Sequence, residues 1–126
     1  MFDGRNLDDA ERLVDEWQAG IEERAARTRE LAQRLRALTA TASSEDGLVT
    51  VTIGSSGDVT DLVLAEGIRE RPAATTAKAV LATLDAARAS LAAAATAVTG
   101  ETVGADSETG KAVIASYEPR RCAADG

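Results

Sequence analysis

The chain has 126 residues, 44% of them apolar and 28% charged, with one cysteine and no histidine. This length suits a single domain, and the missing imidazole excludes His-dependent catalysis and most zinc sites. A net charge of −7 argues against a surface that is basic throughout, although a local basic face remains compatible with it. We therefore expect no catalytic residue, no metal site and no cofactor, and we do not expect an enzyme.

The sequence shows no sign of export or membrane insertion. Residues 1–30 alternate charges without an apolar run. No stretch approaches the roughly 20 consecutive apolar residues of a membrane span. The lone Cys122 offers no internal disulfide, and we expect an inert surface thiol. These features predict a cytoplasmic protein without a membrane partner.

Residues 7–38 have the heptad pattern of a long helix. Two series of positions each recur every seven residues, and the second series lies three residues after the first. Eight of these ten positions are apolar. The ten are Leu7, Ala10, Val14, Trp17, Ile21, Arg24, Thr28, Leu31, Leu35 and Leu38. At about 1.5 Å per residue the helix is roughly 48 Å long. We expect part of it to project from the domain or to lie against a partner.

Three short strands are predicted next. Residues 39–44 alternate weakly, residues 45–47 form a turn, and residues 48–53 alternate cleanly with Val49, Val51 and Ile53 on one face. Residues 54–58 form a second turn, and residues 59–64 a third strand with Leu62 and Leu64 on one face. The result is an antiparallel meander with two open edges, which a second copy could protect by pairing.

A second helix is predicted from Pro72, placed in its first turn, to about residue 98. Its narrow seam is rich in alanine. Gly100, Gly104 and Gly110 then predict a flexible polar tail over residues 99–126. Val113, Ile114 and Tyr117 form an apolar patch in this tail that could dock on a partner protein. The predicted architecture is α+β in the order α-β-β-β-α, with residues 1–98 as the domain.

Charge is unevenly distributed along the first helix. Residues 3–23 hold eight acids and two arginines, whereas residues 24–36 hold five arginines and one glutamate. Arginine suits phosphate because its planar fork binds two oxygens. Candidate DNA-contacting residues are Arg24, Arg27, Arg29, Arg34, Arg36, Arg69, Arg71, Lys78 and Arg88.

The same charge pattern also fits a structural role. Basic side chains complement the negative C-terminal end of a helix. Arginines beside a heptad seam also pair with acids on a partner helix. In an antiparallel dimer the acidic half of one helix could meet the basic half of the other. Trp17 is expected to be a core or interface anchor.

The hairpin over residues 47–64, with its glycines at 47 and 57, resembles the central hairpin of the YbaB/EbfC nucleoid-associated family. The helices before and after it match the family layout, so the resemblance covers residues 5–98. It implies a homodimer joined through its sheets, which binds duplex DNA with loose sequence preference at the nucleoid. Candidate dimer-interface residues are Trp17, Leu48, Val49, Val51, Ile53, Val59, Leu62 and Leu64.

Three features depart from the family pattern. The first helix is rich in Ala and Arg, Ala65-Glu66 stands where relatives often have Asp-Pro, and the C-terminal tail is extra. Relatives with such tails have been linked to specialised secretion systems. The alternative function is therefore a protein-interaction or chaperone-like module in a regulatory or secretion complex.

Overall fold

A computed structural model describes residues 4–118, and side-chain detail begins at Leu7. The elements in chain order are α1 (Gly4–Arg36), β1 (Ala40–Ser43), β2 (Val49–Ile53), β3 (Val59–Leu64), a 3-10 turn (Glu66–Glu70), α2 (Ala73–Thr102) and α3 (Glu108–Tyr117). The predicted α-β-β-β-α order and three-stranded antiparallel sheet are confirmed. Cys122 lies outside the described residues.

The strands form one antiparallel sheet in the order β1-β2-β3. Val51 lies opposite Ala42 on one side and Leu62 on the other. The apolar face of the sheet therefore crosses all three strands. A register shift at Thr52 and Ile53 bends the pairing of β2 with β3 near the second turn.

The core lies between this apolar face and α2, which packs on β1 and β2. Val49, Val51 and Ile53 are at most 1% exposed. Ala87 and Leu91 of α2 are buried against them. Small side chains on the alanine-rich seam of α2, such as the fully buried Ala87, allow the helix to approach the sheet closely. All six residues of β3 remain exposed.

Helix α2 differs from the prediction at both ends. Pro72 precedes the helix as its N-cap residue instead of occupying the first turn, and the helix continues through Gly100 to Thr102. Gly lowers helix stability by only about 1 kcal/mol relative to Ala. Packing outweighs this cost, since Thr99 and Thr102 are buried and their hydroxyls donate to carbonyls one turn earlier.

By length and composition alone, α2 could cross a membrane. The prediction that no segment reaches this length and apolarity is therefore wrong. In the folded chain the apolar face that includes Ala87, Leu91 and Ala95 is buried. The apolar residues on this face of α2 are explained by their packing inside the folded chain.

Residues 103–118 also fold, contrary to the predicted flexible tail. Gly104, at φ 87°, ends α2 in a left-handed conformation, and Ser107 caps α3 by accepting a hydrogen bond from the N–H of Gly110 at 2.9 Å. Helix α3 packs on α2. The Tyr117 hydroxyl donates to the Ser55 carbonyl at 3.4 Å. Gly104 and Gly110, which the sequence pattern marks as helix breakers, therefore shape the connection between two packed helices.

Candidate nucleic-acid interface

The basic half of α1 is positioned by the burial of its seam. Leu31 is 2% exposed, Leu35 is half-buried, and Leu38 packs against the core cluster just beyond the helix end. Helix α1 packs on α2 in this region. Because residues seven apart share a helix face, four of the arginines form two pairs, Arg27 with Arg34 beside the buried seam and Arg29 with Arg36 on the outer face of the helix.

The first pair, Arg27 and Arg34, already has acidic partners. Arg27 forms an ion pair with Glu23 one turn earlier on the same helix. The Nη2 atom of Arg34 lies 2.5 Å from a carboxylate oxygen of Glu101 at the end of α2. These contacts favour the structural interpretation for this flank, since they neutralise both guanidinium groups and join α1 to α2.

The second pair, Arg29 and Arg36, is exposed. Within residues 7–118, no acidic group lies within ion-pair distance of either side chain. We call these two residues the open arginine pair. Arg24 is exposed as well, at a seam position, and its carbonyl accepts a hydrogen bond from the Thr28 hydroxyl at 3.0 Å.

Arg71 makes contacts within this chain that favour a structural role over the predicted DNA contact. Its side chain is 18% exposed. Its Nη1 atom donates to Asp46 at 2.6 Å and its Nε atom donates to Thr76 at 3.3 Å. Arg71 thereby ties the first hairpin to the beginning of α2, and neither of these two nitrogens is left for a phosphate.

Asp46 is held ionised by the hairpin turn. The Ser44 hydroxyl, the Leu48 backbone N–H and the Arg71 guanidinium all donate to its carboxylate. These donors, with the Ser44 hydroxyl contributing most, lower the pKa of Asp46 to about 2. The turn and the ion pair therefore form one polar network.

The remaining basic candidates are scattered. Arg69 forms an ion pair with Glu66 at 3.0 Å in the 3-10 turn. Lys78 and Arg88 are exposed on α2. No group of three or more acids, cysteines or histidines within the described residues is placed to hold a metal ion.

The candidate interface residues divide into two classes. Val49, Val51 and Ile53 belong to the core of one chain, which corrects their assignment because α2 covers them. Leu48 is half-buried, and its side chain lies against Gly67. Val59, Leu62 and Leu64 are 49%, 45% and 41% exposed, and Trp17 is 64% exposed.

Val63 was missed, although it is 51% exposed. Period-2 alternation places it on the face opposite Leu62 and Leu64, together with Asp61. An apolar residue on both faces of one strand is the signal that could have identified it.

The patch predicted to bind a partner packs on this chain. Val113, Ile114 and Tyr117 are half-buried. Tyr117 also packs against the core cluster. These contacts explain the apolar residues of the C-terminal segment without a second protein.

Comparison with known proteins identifies the family. The sequence profile of the YbaB/EbfC DNA-binding family matches residues 7–106. The chain is similar to an uncharacterized protein from Helicobacter pylori of known crystal structure, with 16% identity and a TM-score of 0.44 over 63% of this chain and 84% of that one. No curated protein matches significantly. Because the profile spans most of the sequence, the chain belongs to the YbaB/EbfC DNA-binding family.

Proposed function

We propose that this chain is a non-enzymatic, nucleoid-associated protein of the bacterial cytoplasm that binds duplex DNA as a homodimer with loose sequence preference. Membership of a DNA-binding family supports the ligand. The open arginine pair, Arg29 and Arg36, is the observation that supports placing DNA on this surface. Both side chains are exposed and have no acidic partner in the described part of the chain.

The geometry of the pair suits a phosphate backbone. Seven helical residues separate Arg29 from Arg36, so their Cα atoms lie about 10 Å apart along one face. A guanidinium binds phosphate oxygens in a planar fork. Phosphate contacts position a protein on the duplex but carry no direct sequence information. Loose specificity is therefore the expected outcome.

The acidic half of α1 restricts where DNA can approach. Residues 8–23 carry seven acids and one arginine, so this half of the helix repels a polyanion. DNA is left with the end of α1 near the sheet, where the open arginine pair lies. A protein with a net charge of −7 must bind through such a local potential, and its affinity depends steeply on salt.

Strand β3 supports the homodimer. Among the described residues it pairs only with β2, so within residues 4–118 its outer edge offers unpaired backbone groups. Leu62 and Leu64 share a face with Val51 and Val49, yet α2 packs on β1 and β2. A second copy paired at this edge would continue the sheet and cover the open leucines. Two arginine pairs on one particle would also bind one duplex with higher avidity.

Fluorescence anisotropy with a labelled duplex across a salt series tests the DNA surface. The variant is Arg29→Glu/Arg36→Glu, and we expect a large loss of affinity at low salt. The slope of log affinity against log salt should become shallower by about 0.9 for each lost phosphate contact. The loss should be similar for unrelated DNA sequences.

The matched control is Arg12→Glu/Lys111→Glu, which changes the net charge equally at two exposed positions away from the pair. We expect it to weaken binding much less. An equal loss in both variants would contradict the assignment to Arg29 and Arg36. Absence of binding by the wild-type protein at low salt and tens of micromolar protein would contradict DNA binding itself.

The alternative function, a protein-interaction module docked through the C-terminal segment, loses its main support. Its apolar residues are half-buried within this chain and pack beside α2 and the core. We therefore favour DNA binding over this alternative.

A further inference from the structure

The two arginine pairs of α1 border one exposed strip of the helix. At 100° per residue, Arg27 and Arg34 form one edge of this strip. The open arginine pair, Arg29 and Arg36, forms the other edge. The exposed side chains between the two edges are Ala26, Glu30, Gln33 and Ala37. Because an α-helix is only about 10–12 Å across, a duplex lying on this strip has phosphates within reach of both edges.

Two carboxylates cover the edge formed by Arg27 and Arg34. Glu23 forms an ion pair with Arg27 from one turn earlier on α1. Glu101, at the end of α2, has a carboxylate oxygen 2.5 Å from the Nη2 atom of Arg34. The side chains of Arg27 and Arg34 are nevertheless 54% and 43% exposed. The carboxylates therefore cancel the positive charge of this edge without closing access to it.

A neutralised arginine contributes little to binding a polyanion. Basic side chains gain affinity for DNA mainly because each phosphate that they neutralise releases condensed counterions. An arginine already paired with a carboxylate brings no net charge to the phosphate, and the carboxylate itself repels it. The two edges of the strip carry equal numbers of arginines, but only the open pair presents its charge to DNA.

The covering ion pairs contribute little to the stability of the fold. All four side chains are at least 43% exposed, and exposed ion pairs stabilise a protein only weakly. Helix α1 is held on α2 by its buried seam, where Leu31 is 2% exposed. The carboxylates can therefore be removed while the helix keeps its position.

We propose that these two carboxylates are autoinhibitory: they hold Arg27 and Arg34 as a second phosphate-binding edge that stays masked in the wild-type protein. This inference rests on the proposed function, because it concerns how strongly the same helix binds duplex DNA. The contact between Arg34 and Glu101 joins residues 67 positions apart in the sequence. A displacement of α1 along α2 separates these two groups, so the contact links the charge that α1 presents to its position on α2.

Removing both carboxylates tests the masking. The variant is Glu23→Gln/Glu101→Gln, and fluorescence anisotropy with a labelled duplex compares it with the wild type across a salt series. We expect binding at low salt to tighten roughly 5- to 30-fold, the equivalent of two exposed ion pairs. The slope of log affinity against log salt should become steeper by about 0.9 for each arginine released. An unchanged slope would overturn the proposal.

Two further variants separate masking from a simple change in net charge. Glu70→Gln/Asp85→Asn changes the net charge equally at two exposed positions that form no ion pair within the described residues, and it should keep the wild-type slope. Adding Arg27→Gln/Arg34→Gln to the unmasked variant should abolish the gain in affinity and restore the wild-type slope. Circular dichroism checks that each variant retains its helices. A gain that survives the arginine substitutions, or an equal gain in the charge control, would refute masking.

The same series distinguishes a failure of masking from a failure of DNA binding. If the wild type binds and the unmasked variant binds with the same slope, masking is rejected and the proposed function stands. If neither protein binds at low salt and tens of micromolar protein, both are rejected. If only the unmasked variant binds, masking is supported, and the open arginine pair is insufficient for DNA binding by the wild type.

Discussion

Strands β2 and β3 are neighbours with similar alternating sequences, but their environments differ. Val49, Val51 and Ile53 of β2 are at most 1% exposed, whereas Val59, Leu62 and Leu64 of β3 are at least 41% exposed. Helix α2 accounts for the difference, because it packs on β1 and β2. An apolar pattern thus shows which face requires cover, but it does not show which chain provides the cover.

The two halves of α1 repeat this contrast. One heptad seam runs through the whole helix, yet Leu31 is 2% exposed and Val14 is 53% exposed. The buried half lies near the sheet and carries the arginines, and the exposed half carries the acids. The open strand of the sheet is the surface for which we propose a second copy.

The largest expected effect comes from placing one lysine in each strand. Val51→Lys should unfold the protein, because an unpaired charge in the core costs several kcal/mol. Leu62→Lys should leave the fold intact and weaken the dimer, because Leu62 is already 45% exposed within one chain. Circular dichroism and light scattering distinguish these results. Equal unfolding by both substitutions would contradict the division into covered and open strands.

Two leucines of α2 extend the comparison to the helix. Leu91 is 3% exposed and Leu81 is 62% exposed. Leu91→Ala should lower the free energy of unfolding by about 2–5 kcal/mol through the cavity it leaves. Leu81→Ala should change it by about 0.5 kcal/mol or less. Urea denaturation measures both, and a similar loss in the two variants would refute the assigned burial.

Gly100 near the end of α2 and Gly110 in the first turn of α3 should respond with opposite signs. At Gly110 an added Cβ would lie 2.0 Å from the Gly104 carbonyl oxygen, whereas at Gly100 it would meet nothing within 4 Å. Gly110→Ala should destabilise the protein by about 1–3 kcal/mol. Gly100→Ala should stabilise it by roughly 0.5–1 kcal/mol. A neutral Gly110→Ala in thermal unfolding would argue against the packed α3.

The smallest expected effect is a pH dependence at Asp46. Its pKa is lowered to about 2 in the folded chain, below an unfolded value near 4. The stabilisation is therefore complete above pH 4 and declines as the pH falls toward 2. Asp46→Asn should be less stable than wild type at pH 7, and the difference should shrink over that window. A difference independent of pH would contradict the network around Arg71.

Local patterns predicted most of the fold. The heptad seam located α1, observed at Gly4–Arg36, and period-2 alternation located β2 and β3. Helix α3 was missed because Gly104 and Gly110 are helix breakers in a local view. In the structure Gly104 ends α2 at positive φ and Gly110 lies against the Gly104 carbonyl, so both glycines shape a turn between two helices.

The candidate site was predictable in composition but not in pairing. The cluster of arginines in residues 24–36 was evident from the sequence. Arg34 is neutralised by Glu101, 67 residues away, and Arg71 by Asp46, 25 residues away. No local rule links such distant residues, so the distinction between structural arginines and the open pair needed the structure.

The mass of the full-length protein in solution tests most directly whether a second copy completes the open faces. Light scattering or sedimentation at tens of micromolar should give at least twice the 13.0 kDa of one chain, with a lower mass for Leu62→Lys. A wild-type mass of one chain at that concentration would contradict the account.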